Sequence, residues 1–137
     1  MTATHRVDAV RRPATPTGRY LRATALNERT DELPGGPALD VFARAFTAAV
    51  RLRFRPDTPL IAVAASVASA ARRHPALGLP VREAEMLIRA ALGEAVPSAG
   101  ISETQAMVVH MVMFAALADE LALTDDEIDE LIADAED

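Results

Sequence analysis

The chain has 137 residues, half of them hydrophobic but only 4% aromatic, with no cysteine and a formal net charge of −6. This length accommodates one domain with a modest core. A chain without cysteine has no disulfide bonds, thiolate metal sites or cysteine nucleophile. The core has to be built from alanine and aliphatic residues, a composition that favours closely packed helices.

Charge is distributed unevenly along the chain. Residues 1–36 carry six arginines and four acids, residues 37–116 carry eight arginines and six acids, and residues 117–137 carry ten acids and no base. Segments of opposite sign favour self-association or the binding of a basic partner by the acidic end. Every basic residue is arginine, and this usage is typical of a GC-rich, bacterial genome.

Residues 1–36 contain three prolines, three glycines and no sustained hydrophobic period. They predict an irregular, arginine-rich arm or linker ahead of a helical domain over residues 37–137. Within the arm, residues 19–26 have enough apolar content to order on a partner, as a short helix or as a strand. The candidate partner-binding residues of the arm are Arg11, Arg12, Arg19 and Arg22.

Apolar residues at helical spacing predict five helices in the remainder of the chain. They span about residues 37–53, 58–73, 81–94, 102–121 and 124–136. Thr58 before Pro59 predicts the N-cap of the second helix. Capping boxes predict the starts of the last two, at Ser102 with Gln105 and at Thr124 with Glu127. The fold class is therefore all-α, a compact five-helix orthogonal array or irregular bundle.

Two apolar runs, residues 59–71 and 106–118, are too short to span a membrane and predict buried core helices. The fourth helix is apolar nearly all round, which predicts that it lies at the centre. On the second helix, small residues predict the face of a tight helix crossing. They are Ala62, Ala65, Ala68 and Ala71, together with Ser66 and Ser69. Without an apolar leader sequence, the expected location is the cytoplasm, with no membrane partner.

His110 is the one histidine inside a strongly helical segment, with Met107, Met113 and Phe114 on the same face. Thioethers with an imidazole could ligate copper or haem. The ligands are few and poorly spaced for such a site, however, and the favoured interpretation is a core helix in which the methionines fill gaps and the histidine finds a hydrogen bond. No metal or cofactor is predicted.

The acidic end contains carboxylates at positions 1, 3, 5 and 12 of a potential calcium loop that begins at Asp125. Position 6 of that loop requires glycine for its sharp turn, and the chain has Glu130 there. The same residues fit a capped amphipathic helix with its acids in the first turn, where the helix dipole favours them. The acidic candidates for partner contact are Asp125, Asp126, Asp129 and Glu130.

Arginines cluster near the end of the first helix, and Arg51 and Arg55 are further candidates for partner contact. Arg82 and Arg89 bracket Glu85 at spacings that predict an ordinary surface network. No interleaved aromatic residue for base stacking accompanies these arginines, so nucleic acid is not the favoured partner.

No phosphate loop, nucleophile elbow or zinc-protease motif occurs in the sequence, and no catalytic activity is predicted. The leading hypothesis is a non-catalytic interaction module, an adaptor, regulator or assembly subunit that binds another protein or a second copy of itself. Two alternatives stay open. One is a nucleic-acid-associated accessory protein that acts through the arm, and the other is a small-ligand or metal-binding bundle around His110.

Overall fold

The structure, a computed structural model, describes residues 38–136. Within them it contains five α-helices and no strand. The helices are α1 (Ala38–Arg53), α2 (Leu60–Arg73), α3 (Val81–Ala91), α4 (Glu103–Glu120) and α5 (Asp125–Glu136), with a 3₁₀ turn at Pro75–Leu77. The predicted all-α, five-helix fold is confirmed, and the arm predicted over residues 1–36 lies outside the described residues.

The central position of α4 is confirmed. This helix packs most extensively on α1 and also contacts α2 and α3, whereas α5 packs on α1. Its buried residues include the whole run from Val112 to Ala118. The large side chains that α1 contributes to the same core are Phe42, Phe46 and Val50. Helices α2 and α5 have no extensive contact with each other.

The face that α2 buries shares only Ser66 with the predicted one. The buried residues of α2 are Val63, Ser66, Val67 and Ala70, at the spacing of one helical face. Ala65, a member of the predicted face, is exposed. The predicted stripe advanced in steps of three residues, and each step falls about 60° short of a full turn. Its two ends, Ala62 and Ala71, consequently lie on opposite sides of the helix.

The two predicted capping boxes are confirmed. Ser102 Oγ accepts a hydrogen bond of 3.1 Å from the Gln105 backbone N–H, and the Gln105 side chain accepts one of 3.1 Å from the Ser102 N–H. Thr124 and Glu127 make the same reciprocal pair at 3.2 Å and 2.8 Å. These bonds satisfy backbone donors that a helix start leaves without partners.

The predicted N-cap of α2 is wrong by one residue. The N-cap is Pro59, which has no side-chain oxygen to offer. Thr58 Oγ1 instead accepts a hydrogen bond of 2.8 Å from the backbone N–H of Arg55. The threonine hydroxyl therefore closes the turn between α1 and α2, and the α2 N-terminus begins without a side-chain cap.

Helix α3 ends at Ala91, before its predicted end at residue 94, because Gly93 takes a left-handed conformation with φ of 94°. The Gly93 N–H donates to the Ala90 carbonyl and the Glu94 N–H donates to the Arg89 carbonyl, both at 3.0 Å. This pair of bonds is the Schellman motif.

Helix α4 ends in the same motif, with an alanine at the left-handed position. Ala122 has φ of 52°. Its N–H donates to the Asp119 carbonyl and the Leu123 N–H donates to the Ala118 carbonyl, both at 3.0 Å. An L-residue with a Cβ is strained in this conformation, whereas glycine is not.

We expect Ala122→Gly to raise the free energy of unfolding by about 1 kcal/mol, because glycine lacks the Cβ that is strained at positive φ. The matched control is Gly93→Ala at the equivalent position of α3. An added Cβ there meets no atom within 4 Å, so only the backbone strain should lower stability. Urea unfolding followed by circular dichroism measures both variants. A destabilised Ala122→Gly variant would contradict this assignment of strain.

Candidate functional site

A polar cluster joins α1, α2 and α4 where α4 ends. Glu120 accepts a hydrogen bond of 2.7 Å from the hydroxyl of Ser66 on α2 and one of 2.9 Å from Arg53 Nε on α1. Ser66 is only 5% exposed and is the one buried polar residue among those described. The Arg53 guanidinium also lies 4.8 Å from the centre of the Phe54 ring. These charge-assisted bonds satisfy the buried hydroxyl and fasten three helices together.

A second ion pair, between Arg73 and Asp119, lies beside this cluster. Both of its side chains are exposed, so water screens their attraction. The two neighbouring acids of α4 thus have different environments, Glu120 half-buried and Asp119 on the surface.

The two candidate arginines near the end of α1 are in different situations. Arg51 Nε donates a hydrogen bond of 3.1 Å to the carbonyl of Ala91, the last residue of α3. A cation at this position is stabilised by the negative end of the α3 helix dipole. The side chain of Arg55 is exposed and makes no ion pair with a described residue. Arg51 therefore has an internal role in addition to any contact with a partner.

The acidic candidates lie on α5, in a regular helix as predicted. Asp125, Asp126 and Glu130 are exposed and Asp129 is half-buried. Asp126, Asp129 and Glu130 each take part in polar interactions. The structure does not place Arg51 against these acids. The remaining candidates, Arg11, Arg12, Arg19 and Arg22, lie outside the described residues.

Helix α2 turns a face away from the core that is uncharged except for Arg72 at its end. Its buried residues occupy one side, and the opposite side presents Ile61, Ala65, Ala68 and Arg72 at spacings of four, three and four residues. The side chain of Ile61 is 79% exposed and that of its neighbour Leu60 is 59% exposed. No charged residue occurs between Leu60 and Ala71.

The exposure of this face corrects the expectation that residues 59–71 form a buried core helix. Sequence reasoning missed the face because a helix of alanine, valine and serine has no polar side to mark the surface. One signal was available in the sequence. A helix at the edge of a bundle buries only one side. Its other side is therefore exposed, even when no charged residue marks it.

His110 lies on α4 with its ring centre 4.9 Å from that of Phe46. Its Nδ1 atom is buried and has no hydrogen-bond partner, contrary to the expectation that this histidine finds one. Burial lowers the pKa of His110 from its ordinary value of 6.5 to about 4, because the charged imidazole is poorly solvated there. The neighbouring Met113 is fully buried and Met107 is packed against the core.

The predicted network on α3 does not form, because Glu85 makes no hydrogen bond or ion pair with Arg82 or Arg89. Arg89 makes a bidentate ion pair with Glu94 in the loop after α3, and not with Glu85. The hydrogen bonds from Arg89 lower the pKa of the exposed Glu94 carboxyl. A shallow pocket of about 280 Å³ lies beside this pair, lined by Arg82, Glu85, Met86, Arg89, Ala95, Val96 and Pro97.

Among residues 38–136, no group of three or more histidine, aspartate or glutamate side chains is arranged to hold a metal ion. In the same part of the chain no helix has the length and apolar character needed to cross a membrane. Comparisons of the chain with protein-family models, curated proteins and solved structures give no match.

We expect Glu120→Ala to lower the free energy of unfolding by about 2 kcal/mol, because it leaves the buried Ser66 hydroxyl without its acceptor. Asp119→Ala is the matched control, since it removes the adjacent acid from an exposed pair and should change stability by less than about 0.5 kcal/mol. Chemical denaturation of both variants gives the comparison. Equal effects at the two positions would show that the buried cluster contributes no more than the surface pair.

We expect His110 to make stability depend on pH. Its pKa is about 4 in the fold, below its value when unfolded, so the unfolded chain binds the proton more readily. The contribution of His110 to the free energy of unfolding is therefore fully present above pH 6.5. It is lost as the pH falls from there through 4, which lowers the free energy of unfolding by about 3 kcal/mol. His110→Leu should lack this component. Unfolding curves measured at several pH values test it, and parallel pH dependences for the two proteins would contradict it.

Proposed function

We propose that this chain is a non-catalytic, cytoplasmic interaction module that binds another protein chain, as an adaptor, regulator or assembly subunit. The observation that carries the proposal is the outward face of α2, defined by Ile61, Ala65, Ala68 and Arg72. Ile61 and Ala65 are exposed there and Ala68 is half-buried, on a helix that has no charge along twelve successive residues. Exposed apolar patches mark contact sites in soluble proteins.

Energetics support this use of the face. Removing an isoleucine side chain from water stabilises a complex by about 2 kcal/mol. Ile61 is 79% exposed, so nearly all of that free energy is available to a partner that covers it. The adjacent Leu60, 59% exposed, adds to the same surface. Ala65 and Ala68 project little, so that a second helix can approach the backbone closely.

Helix α5 supplies the second part of the proposal. It carries seven acidic residues and no base, among them Asp125, Asp126, Asp129 and Glu130. Such a helix steers a basic partner and opposes an acidic one. It packs on α1 and makes no extensive contact with α2. The basic residues predicted in the arm, Arg11, Arg12, Arg19 and Arg22, would add a contact of opposite sign.

Site-specific photo-crosslinking in the cell that makes the protein tests this proposal. With benzoylphenylalanine in place of Ile61, we expect discrete adducts with a protein chain. The matched control has the same crosslinker in place of Ala90, an exposed residue of α3. Equal, diffuse labelling from both positions would refute the proposal. Adducts with nucleic acid that disappear when residues 2–36 are deleted would instead support the nucleic-acid-associated alternative.

A further inference from the structure

We propose that the partner of the α2 face is a second copy of this chain, and that the two α2 helices pair antiparallel about a two-fold axis. This inference rests on the proposed function, because it assigns a partner to the same surface. It is carried by the self-complementary arrangement of apolar and charged residues along the face.

The outward residues of α2 have the spacing of a helix-pairing seam. Ile61, Ala65, Ala68 and Arg72 follow one another at four, three and four residues, which keeps them on one line as two helices wrap. Alanine at the two middle positions allows close backbone approach. The apolar Ile61 lies at one end of the seam and the cationic Arg72 at the other.

A two-fold axis between Ala65 and Ala68 makes this seam complementary to itself. Each Ala65 then faces Ala68 of the second copy, and each Ile61 faces Arg72 of the second copy. The methylene stem of an arginine covers apolar surface while its guanidinium reaches beyond it. Beyond Ile61, in the turn before α2, lies the exposed carboxylate of Asp57.

Asp57 and Arg72 have no ion pair or side-chain hydrogen bond with any residue in the described part of the chain. Within one copy they are roughly 20 Å apart, too far for an ion pair. The antiparallel arrangement brings each Arg72 towards Asp57 of the second copy. The two-fold axis repeats this contact, so the dimer has two such ion pairs. A parallel pair would instead place the two Arg72 side chains together, where they repel.

The location of the acidic helix agrees with this arrangement. Because α5 packs on α1 and has no extensive contact with α2, the acidic helix is not part of the pairing face.

Sedimentation equilibrium of the full-length chain over a range of concentrations tests the pairing. We expect a monomer–dimer equilibrium, weakened at least about tenfold by either Arg72→Glu or Asp57→Arg, because each places like charges opposite each other. Ile61→Lys should also abolish pairing. Leu52→Lys is the matched control, since Leu52 is 58% exposed on α1 and lies outside the seam. Circular dichroism establishes that every variant is folded.

Mixing the two charge variants is the decisive measurement. Each variant alone pairs only weakly with itself. In a mixture, each negative position 72 meets a positive position 57, and each unchanged Arg72 meets an unchanged Asp57. We expect the mixture to recover dimer to within about threefold of the original affinity. A full-length chain that is monomeric throughout, or a mixture without recovery, overturns the inference. If crosslinks from position 61 then lead to a different protein, the proposed function stands and only the assignment of the partner fails.

Discussion

The need to cover α4 determines how the other helices are arranged. The middle of this helix is apolar on nearly every side, and the run from Val112 to Ala118 is buried throughout. One neighbour cannot enclose a helix of this kind, so α1, α2 and α3 all contact it. The aromatic residues Phe42 and Phe46 of α1 fill the largest part of the shared core. Helix α2 contributes only one narrow stripe, which leaves its opposite side in water.

Two polar groups of α4, Glu120 and His110, differ in whether they have hydrogen-bond partners. At the end of the helix, Glu120 receives hydrogen bonds from Ser66 and Arg53, so the one buried hydroxyl of the described residues is satisfied. In the body of the helix, His110 Nδ1 is buried without a partner. Burying a polar atom in this way costs about 1–3 kcal/mol. The first arrangement fixes the positions of three helices relative to one another, and the second makes the core sensitive to protonation.

Features set by neighbouring residues could be predicted from the sequence, and features set by tertiary packing could not. The capping boxes at Ser102 and Thr124 are local, and both are observed. The left-handed Gly93 is equally local. Because glycine commonly follows the end of a helix, this residue predicts that α3 ends just before it. The bond between Arg53 and Glu120 joins residues 67 positions apart, and no periodicity indicates it. The orientation of α2 was not predictable from pattern either, because its small apolar residues surround the helix without a polar side.

The lack of a polar side on α2 is explained by contact between its outward face and another protein surface. A single exposed aliphatic residue is ordinary on a soluble protein. Alanine at positions 65 and 68 is also explained by helix propensity alone, since alanine is the best helix former. Propensity does not explain Ile61, because a β-branched residue is a poorer helix former than alanine. Its side chain is also 79% exposed, so it gains little free energy from burial in the core. Solubility would favour a charge there, as it does elsewhere in a chain that is 25% charged. An exposed isoleucine between Asp57 and Arg72 becomes favourable only when another surface covers it, and the sign and order of those two charges match a second copy turned end for end.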